Sequence, residues 1–153
     1  LFAIHKELQV AEGEERAKGF IKTVIRARKD YKGSGEPTLF LAEDMLVEML
    51  LLEDKNGRVI YESEQALARA LRVKNIVTVP VMEGAKNLAK TKNILGIVVN
   101  LKDYNVGADK GGAVAMFEDF DIDYNAQKYL IETRCSGALV KPFSAIVIEE
   151  NAQ

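Results

Sequence analysis

The last third of the chain is a succession of strand-like runs, and this pattern constrains the fold more than any other feature of the sequence. Runs rich in apolar residues occur at 114–117, 126–135 and 143–149, as expected of β-strands. Residues 12–31 differ, because their apolar positions recur at spacings of three and four, as on one face of a helix. The sequence therefore predicts a mixed α and β fold.

The same patterns place the other elements. We expect helices at 12–31, 43–52 and 63–71, and strands at 38–41, 58–61, 74–81 and 94–100. Ser63 suits the N-cap of the third helix, since its side-chain oxygen can accept a hydrogen bond from the first turn. Pro80 has no backbone N–H, which places 74–81 at a sheet edge or Pro80 at a strand end. Two polar segments, 83–92 and 102–112, are predicted to be long connections.

Composition bounds the class of protein. A length of 153 residues fits one domain with its own core, and 48% hydrophobic with 29% charged residues is a globular balance. The net charge of -2 gives no overall attraction to nucleic acid or to an anionic membrane. No apolar run approaches the roughly 20 residues that cross a bilayer, so we do not expect a membrane protein. Cys135 is the single cysteine, which excludes an internal disulfide and favours a reducing, intracellular compartment.

One acidic cluster could bind a metal ion. Asp119, Asp121 and Asp123 alternate, so in a strand all three carboxylates would share one face. The calcium-loop template fails, however, because Tyr124 stands at its glycine position and Leu130 at its final glutamate position. The cluster leaves two interpretations, a solvated or intersubunit polar face and the metal site of a small metal-binding or hydrolytic α/β domain. We assign no metal-binding residue.

The other catalytic patterns are incomplete. The segment 33–38 lacks the third glycine of a phosphate-binding motif, and 107–112 is followed by Ala113 rather than by the lysine and hydroxyl residue of a P-loop. His5, the single histidine, lies near the start of the chain, where we expect a frayed end. A helix face carries a basic run, which is interpreted as a solvated face rather than a nucleic-acid site: Lys22, Arg26, Arg28, Lys29 and Lys32. We therefore predict no catalytic residue, no cofactor and no enzyme.

Several blocks of sequence carry a resemblance to a known family. In chain order they are Pro37-Thr-Leu-Phe-Leu41, the turn that ends in Gly57-Arg58, Val77-Thr-Val-Pro-Val81, and the long closing segment 117–148. Over about residues 31–149 this succession resembles the major capsid proteins of tailed bacteriophages. Their Hong Kong 97-type fold is shared with herpesvirus shells and encapsulins.

The resemblance implies an α+β fold made mainly of the axial domain, a mixed central sheet with flanking helices around the symmetry axis of a pentamer or hexamer. Residues 1–35 would be a lead-in segment with the amphipathic helix. Residues 36–153 would be the axial domain with the terminal strand region of the peripheral domain, and the whole would form one compact unit. The polar segments 83–92 and 102–112 are candidates for loops at the axis.

The departures from the family pattern are also specific. The chain starts at Leu1 rather than Met, and ahead of residue 12 there is no room for the family's N-terminal arm, extended loop and full spine helix. We expect a truncated or processed chain that self-associates weakly or not at all. Some family members join a lysine of the extended loop to an asparagine. Asn125 falls in a comparable region, but we interpret it as a turn or ladder residue.

The function that the resemblance implies is structural. The chain would be a subunit of a phage or prophage capsid, assembling through pentamers and hexamers into an icosahedral shell around DNA. Its partners would be further copies of itself, a scaffold, a portal and packaged DNA without sequence specificity, with no membrane and no small-molecule substrate. It would reside in the virion, and in the host cytoplasm during assembly. An encapsulin-type nanocompartment shell is the alternative within the same fold.

Overall fold

The computed structural model describes residues 2–109 and 114–151, and this part of the chain divides into two compact units. The first unit contains Leu1–Asp103 and Leu139–Gln153, and the second contains Tyr104–Ala138. The helices are α1 (Arg16–Ala27), α2 (Glu43–Leu50) and α3 (Glu64–Leu71). The strands are β1 (Ala3–Glu7), β2 (Thr38–Leu41), β3 (Ile76–Thr78), β4 (Lys92–Val99), β5 (Tyr104–Ala108), β6 (Ala115–Asp121), β7 (Ala126–Glu132), β8 (Cys135–Leu139) and β9 (Ala145–Asn151).

A five-stranded mixed sheet organises the first unit. Its strand order is β1-β9-β4-β2-β3, with parallel pairing at β1–β9 and β2–β3 and antiparallel pairing between the inner strands. The register aligns one row of apolar side chains across all five strands: Ile4, Ile146, Val98, Leu39 and Ile76. Because side chains alternate along a strand, this row lies on a single face of the sheet.

That face is buried against the three helices. Ile146, Val98 and Leu39 form one cluster with helix residues that are also inaccessible to solvent, including Phe20 of α1 and Met49 of α2. Spacings of three and four give each helix one apolar face, which packs on the sheet. None of the helices within the described residues is long and apolar enough to cross a membrane.

The predicted helices form, with shorter bounds. The first begins at Arg16 rather than at residue 12 and continues past Ala27 as a 3₁₀ turn, Arg28–Asp30. The cap of α3 is confirmed, because the Ser63 hydroxyl oxygen accepts a hydrogen bond from the Ala66 N–H at 3.2 Å. Pro80 also lies where expected, since β3 is an edge strand and a 3₁₀ turn starts at Pro80.

Three predictions about the elements of the fold and its chain ends were wrong. The strand expected at 58–61 is only an isolated bridge between Glu53 and Val59, since 53–59 folds back on itself around a turn. The connection expected at 102–112 contains strand β5, and its residues 110–112 lie outside the described residues. His5 does not lie in a frayed end, because β1 pairs with β9 and the His5 Nδ1 lies 2.8 Å from the Glu149 carboxylate.

The second unit consists of two strand pairs, β5 with β8 and β6 with β7. The β6–β7 pair is antiparallel, with Ala115 opposite Glu132 and Asp121 opposite Ala126. Almost every side chain on these four strands is exposed, and none belongs to the buried cluster of the first unit. The division therefore falls inside the range 36–153. The assignment of axial and peripheral domains stays a prediction.

Candidate assembly surfaces

One face of the β6–β7 pair exposes four large apolar side chains, with Glu118 and Gln127 on the same face. Met116 lies opposite Ile131, and Phe120 lies two positions along the same face. Tyr129 shares this face, and all four side chains are more than half exposed. A two-stranded hairpin is at best marginally stable in water without a third strand or a helix against it. The face therefore has the character of a surface that requires a covering partner.

Two residues of the acidic cluster, Asp119 and Asp121, lie on the opposite face of the strand pair, and Asp123 lies after the strand. Asp119 stands opposite Lys128, which forms an ion pair with Asp121. Asp123 is not on the strand but in the following turn, where its N–H donates to the Asp121 carboxylate at 3.1 Å. The expectation that the three carboxylates share one strand face was therefore wrong, because β6 ends at Asp121. Asn125 has a φ of 48° in this turn, so its interpretation as a turn residue is confirmed.

The described residues contain no group of three or more His, Cys, Asp or Glu side chains placed to hold a metal ion. A depression of about 500 Å³ lies between α3 and β3, with Glu64, Arg69 and Lys74 among its lining residues. It brings together none of the residues considered for catalysis. Charged side chains on an open surface of this kind are ordinary solvated groups.

The polar segment 83–92 is a structured turn with a leucine at its tip. The Asn87 carboxamide oxygen accepts hydrogen bonds from the Thr91 and Lys92 N–H groups at 3.0 and 3.3 Å. The Asn87 N–H donates to the Lys92 carbonyl at 2.9 Å, and the Lys90 N–H donates back to the Asn87 carbonyl at 2.8 Å. Leu88 projects from this turn and is fully exposed. The turn therefore holds an apolar side chain in water at a fixed position.

A second apolar surface lies on α2 and the segment after it. Val47 and Leu51 are one helical turn apart and so share one face of α2. Val59 is bridged to Glu53, and the Ile60 N–H donates to the Leu52 carbonyl at 2.9 Å, so this segment lies beside the end of the helix. The four side chains are between 44% and 68% exposed. We call Val47, Leu51, Val59 and Ile60 the α2 patch.

A polar cluster ties three distant segments of the first unit together. The buried Asp103 carboxylate accepts hydrogen bonds from the Ser34 N–H and hydroxyl, both at 2.6 Å. The Asn100 amide donates to the Ser34 carbonyl at 2.5 Å, and Lys141 donates to the Ser34 hydroxyl at 3.1 Å. The Ser34 hydrogen bonds hold the pKa of Asp103 below its ordinary value. Ser34 donates to the Asp103 carboxylate and accepts from Lys141, so these hydrogen bonds hold the loop around Ser34 in place.

The basic run is largely engaged within the chain. Lys22 pairs with Glu14, and the Arg28 guanidinium lies 4.7 Å from the centre of the Tyr31 ring. Burial lowers the pKa of Arg28 and raises that of Tyr31. The Lys32 ammonium lies 5.3 Å from the centre of the Phe143 ring. These contacts leave few free cations for a phosphate backbone, which agrees with the structural interpretation of the run.

Sequence reasoning missed the polar cluster, the exposed Leu88 and the α2 patch. The cluster joins residues 34, 103 and 141, whose separation in sequence carries no periodic signal. Val47 and Leu51 fit the apolar pattern of α2, but that pattern does not show which apolar positions stay uncovered. The polar residues on either side of Leu88 predicted a loop, but they did not predict that Leu88 would be exposed at its tip.

Comparisons with known proteins identify the fold. Neither a protein-family model nor a curated protein matches the chain. Among solved structures, a virus-like particle from Pyrococcus furiosus is 14% identical with a TM-score of 0.55, covering 94% of this chain and 55% of that one. The capsid of an empty GTA particle is 9% identical with a TM-score of 0.59, covering 97% and 50%. A structure of Mycobacterium phage Ogopogo is 12% identical with a TM-score of 0.57, covering 95% and 53%.

The chain spans about half the length of these structures. The similarity includes both the sheet with its helices and the exposed strand pairs, since it covers almost all of this chain. The mixed α+β class that the sequence predicted is confirmed. The chain has the phage capsid fold that its resemblance to tailed-phage shell proteins implied.

Proposed function

We propose that the chain is a structural subunit of a phage or prophage capsid that assembles through pentamers and hexamers into an icosahedral shell enclosing DNA. The observation that carries the proposal is the β6–β7 pair, which exposes several large apolar side chains in a chain with a capsid fold. A strand pair of this kind depends on a covering surface, and a shell supplies one to every subunit.

A structural role accounts for the absence of an assembled reaction centre among the described residues. Ser34, Asp103 and Lys141 form a supporting network, Asp121 pairs with Lys128, and Asp123 lies in the turn after β6. We infer that the protein is not an enzyme. The functional sites we infer are the surfaces that contact neighbouring subunits.

The proposal includes the parts of the shell. The first unit is the axial domain, and the exposed strand pairs are the strand region of the peripheral domain. The partners are further copies of the chain, with scaffold, portal and DNA as expected partners of a phage shell. The net charge of -2 gives no overall attraction to DNA, so contact with packaged DNA would be local. The protein would reside in the virion, and in the host cytoplasm while the shell is built.

An encapsulin-type shell that encloses protein is the second candidate. The similarity to a virus-like particle from Pyrococcus furiosus favours it, because that similarity is as strong as the similarity to phage structures. The two candidates share the fold and differ in contents. The geometry of Asp119, Asp121 and Asp123 does not support the metal-binding or hydrolytic alternative.

Electron microscopy and sedimentation of the complete gene product test the proposal. Closed shells or rings are the expected result, and a protein that stays monomeric at high concentration would refute it. Nuclease treatment and mass spectrometry of purified particles then separate the two candidates, since protected DNA indicates a capsid and enclosed protein indicates a nanocompartment. For the 153 residues alone we expect weak or no self-association, as a shell contact gains strength by repetition.

A further inference from the structure

Leu88 has the geometry of a preformed contact residue. Its turn is closed by backbone hydrogen bonds at both ends and by the Asn87 side chain within. The backbone of such a turn loses little conformational freedom when Leu88 binds, which lowers the cost of association. Single exposed leucines are common on protein surfaces. Leu88 is a candidate contact residue because it has charged neighbours and because the α2 patch, on the same unit, has complementary properties.

The charges around the two surfaces are opposite. Residues 83–92, which carry Leu88, contain three lysines and one glutamate. Residues 43–60, which carry the α2 patch, contain five acidic residues and two basic ones. Lys90 beside Leu88 and Glu53 beside Val59 form no ion pair among the described residues, so both charges remain available to a partner. Leu88 with its positively charged flanks is therefore complementary, in polarity and in charge, to the α2 patch with its acidic surroundings.

We propose that Leu88 of one copy docks on the α2 patch of a second copy, with Lys90 facing Glu53. Leu88 is fully exposed, so it does not contact the patch of its own chain. Leu88 and the α2 patch are different surfaces, and the contact we propose is head-to-tail, so that its repetition about a rotation axis closes a ring. The inference rests on the proposed function and specifies which residues join neighbouring subunits.

The size of the patch fits a repeated contact. Four side chains of this exposure present on the order of 400 Å², about half of the roughly 800 Å² per partner of a standard stable interface. A single contact is therefore too small to hold two chains together at low concentration. In a closed ring every subunit makes the contact twice, so a subunit leaves the ring only when both of its contacts break.

Disulfide trapping in the complete gene product tests the contact. The background carries Cys135→Ser, because Cys135 is free and exposed. Leu88→Cys with Leu51→Cys should give a ladder of covalent oligomers on mild oxidation, as a head-to-tail contact links each chain to two neighbours. The matched control is Leu88→Cys with Leu101→Cys, since Leu101 is exposed to a similar degree as Leu51. The control should give no ladder.

Charge exchange is the second measurement. Lys90→Glu or Glu53→Lys alone should reduce the rate of cross-linking on the order of tenfold, and the two together should restore it. Particles without a ladder, or with equal ladders from both cysteine pairs, overturn the docking inference and leave the proposed shell function standing. A protein that neither assembles nor cross-links overturns both.

Discussion

The close packing of Gly96 against α1 provides a sensitive test of the fold. Gly96 lies in β4, with Ile148 of β9 on one side and Leu41 of β2 on the other. A Cβ atom added there would lie 2.9 Å from Cζ of Phe20 and 3.4 Å from Cδ1 of Leu39. Both partners are fully buried, so neither can move into solvent to make room. The substitution Gly96→Ala therefore overfills the core.

The expected size follows from two opposing terms. Overpacking a core costs about 1–3 kcal/mol. Replacing a glycine inside a strand returns about 0.5–1 kcal/mol, because the unfolded chain loses backbone freedom. We expect Gly96→Ala to lower the free energy of unfolding by about 1–2 kcal/mol. Phe20→Leu alone should cost about 1–2 kcal/mol through lost burial and a small cavity.

The double variant separates a steric clash from a general weakness of the strand. Phe20→Leu removes ring atoms that the new methyl group would meet, so the two changes together should cost about 1 kcal/mol less than their sum. Urea unfolding followed by circular dichroism at a helix wavelength reports on the first unit, which contains all three helices. Gly107→Ala is the control, since its nearest neighbour would be 4.0 Å away. Strict additivity, or a Gly96→Ala variant as stable as the parent, would refute the reasoning.

Three further predictions concern a cap, a buried carboxylate and the strand pairs. Ser63→Ala should lower the free energy of unfolding by about 1 kcal/mol through loss of the α3 N-cap, while Ser136→Ala on an exposed strand should leave the urea midpoint unchanged. Ser34→Ala should cost about 1–3 kcal/mol at neutral pH. Because the folded pKa of Asp103 is lowered, this stabilisation is present above the ordinary carboxyl pKa and is lost as the pH falls through the folded pKa. A loss of stability in Ser34→Ala that stayed constant into strong acid would contradict the hydrogen bonds from Ser34 to the Asp103 carboxylate. In hydrogen exchange on the 153 residues alone, amides of Ala115–Asp121 should exchange faster than those of Ala145–Asn151. The amides of Ala115–Asp121 should become protected in assembled particles, and an unchanged exchange rate for them on assembly would contradict a covered β6–β7 face.

Local patterns were sufficient for much of the first unit. Thr38–Leu41 was predicted with its observed bounds, because an apolar run between a proline and an acidic helix start has few alternatives. Ser63 was identified as a cap for a comparable reason, since its side chain and its partner N–H are three residues apart. Elements of this kind depend on interactions within a few positions of sequence.

Predictions failed where distant residues decide the structure. The segment 58–61 has strand composition, yet its neighbour in space is Glu53 and no sheet strand is available to it. Residues 104–108 looked like a connection because Gly107 and Asn105 disfavour strands, but pairing with β8 overrides that preference. The Ser34–Asp103 contact spans 69 positions, and no local rule would find it.

The two units differ in how their structure is stabilised. The first unit has fully buried side chains from helices and sheet, so its stability is internal and a neighbour adds only small contacts such as the one proposed for Leu88. The second unit has paired strands with open faces, so its order depends on what covers it. Substitutions in the two units should therefore have separable effects. A core change such as Gly96→Ala should shift unfolding of the free chain, whereas a polar residue at Phe120 should leave that transition in place and act on assembly.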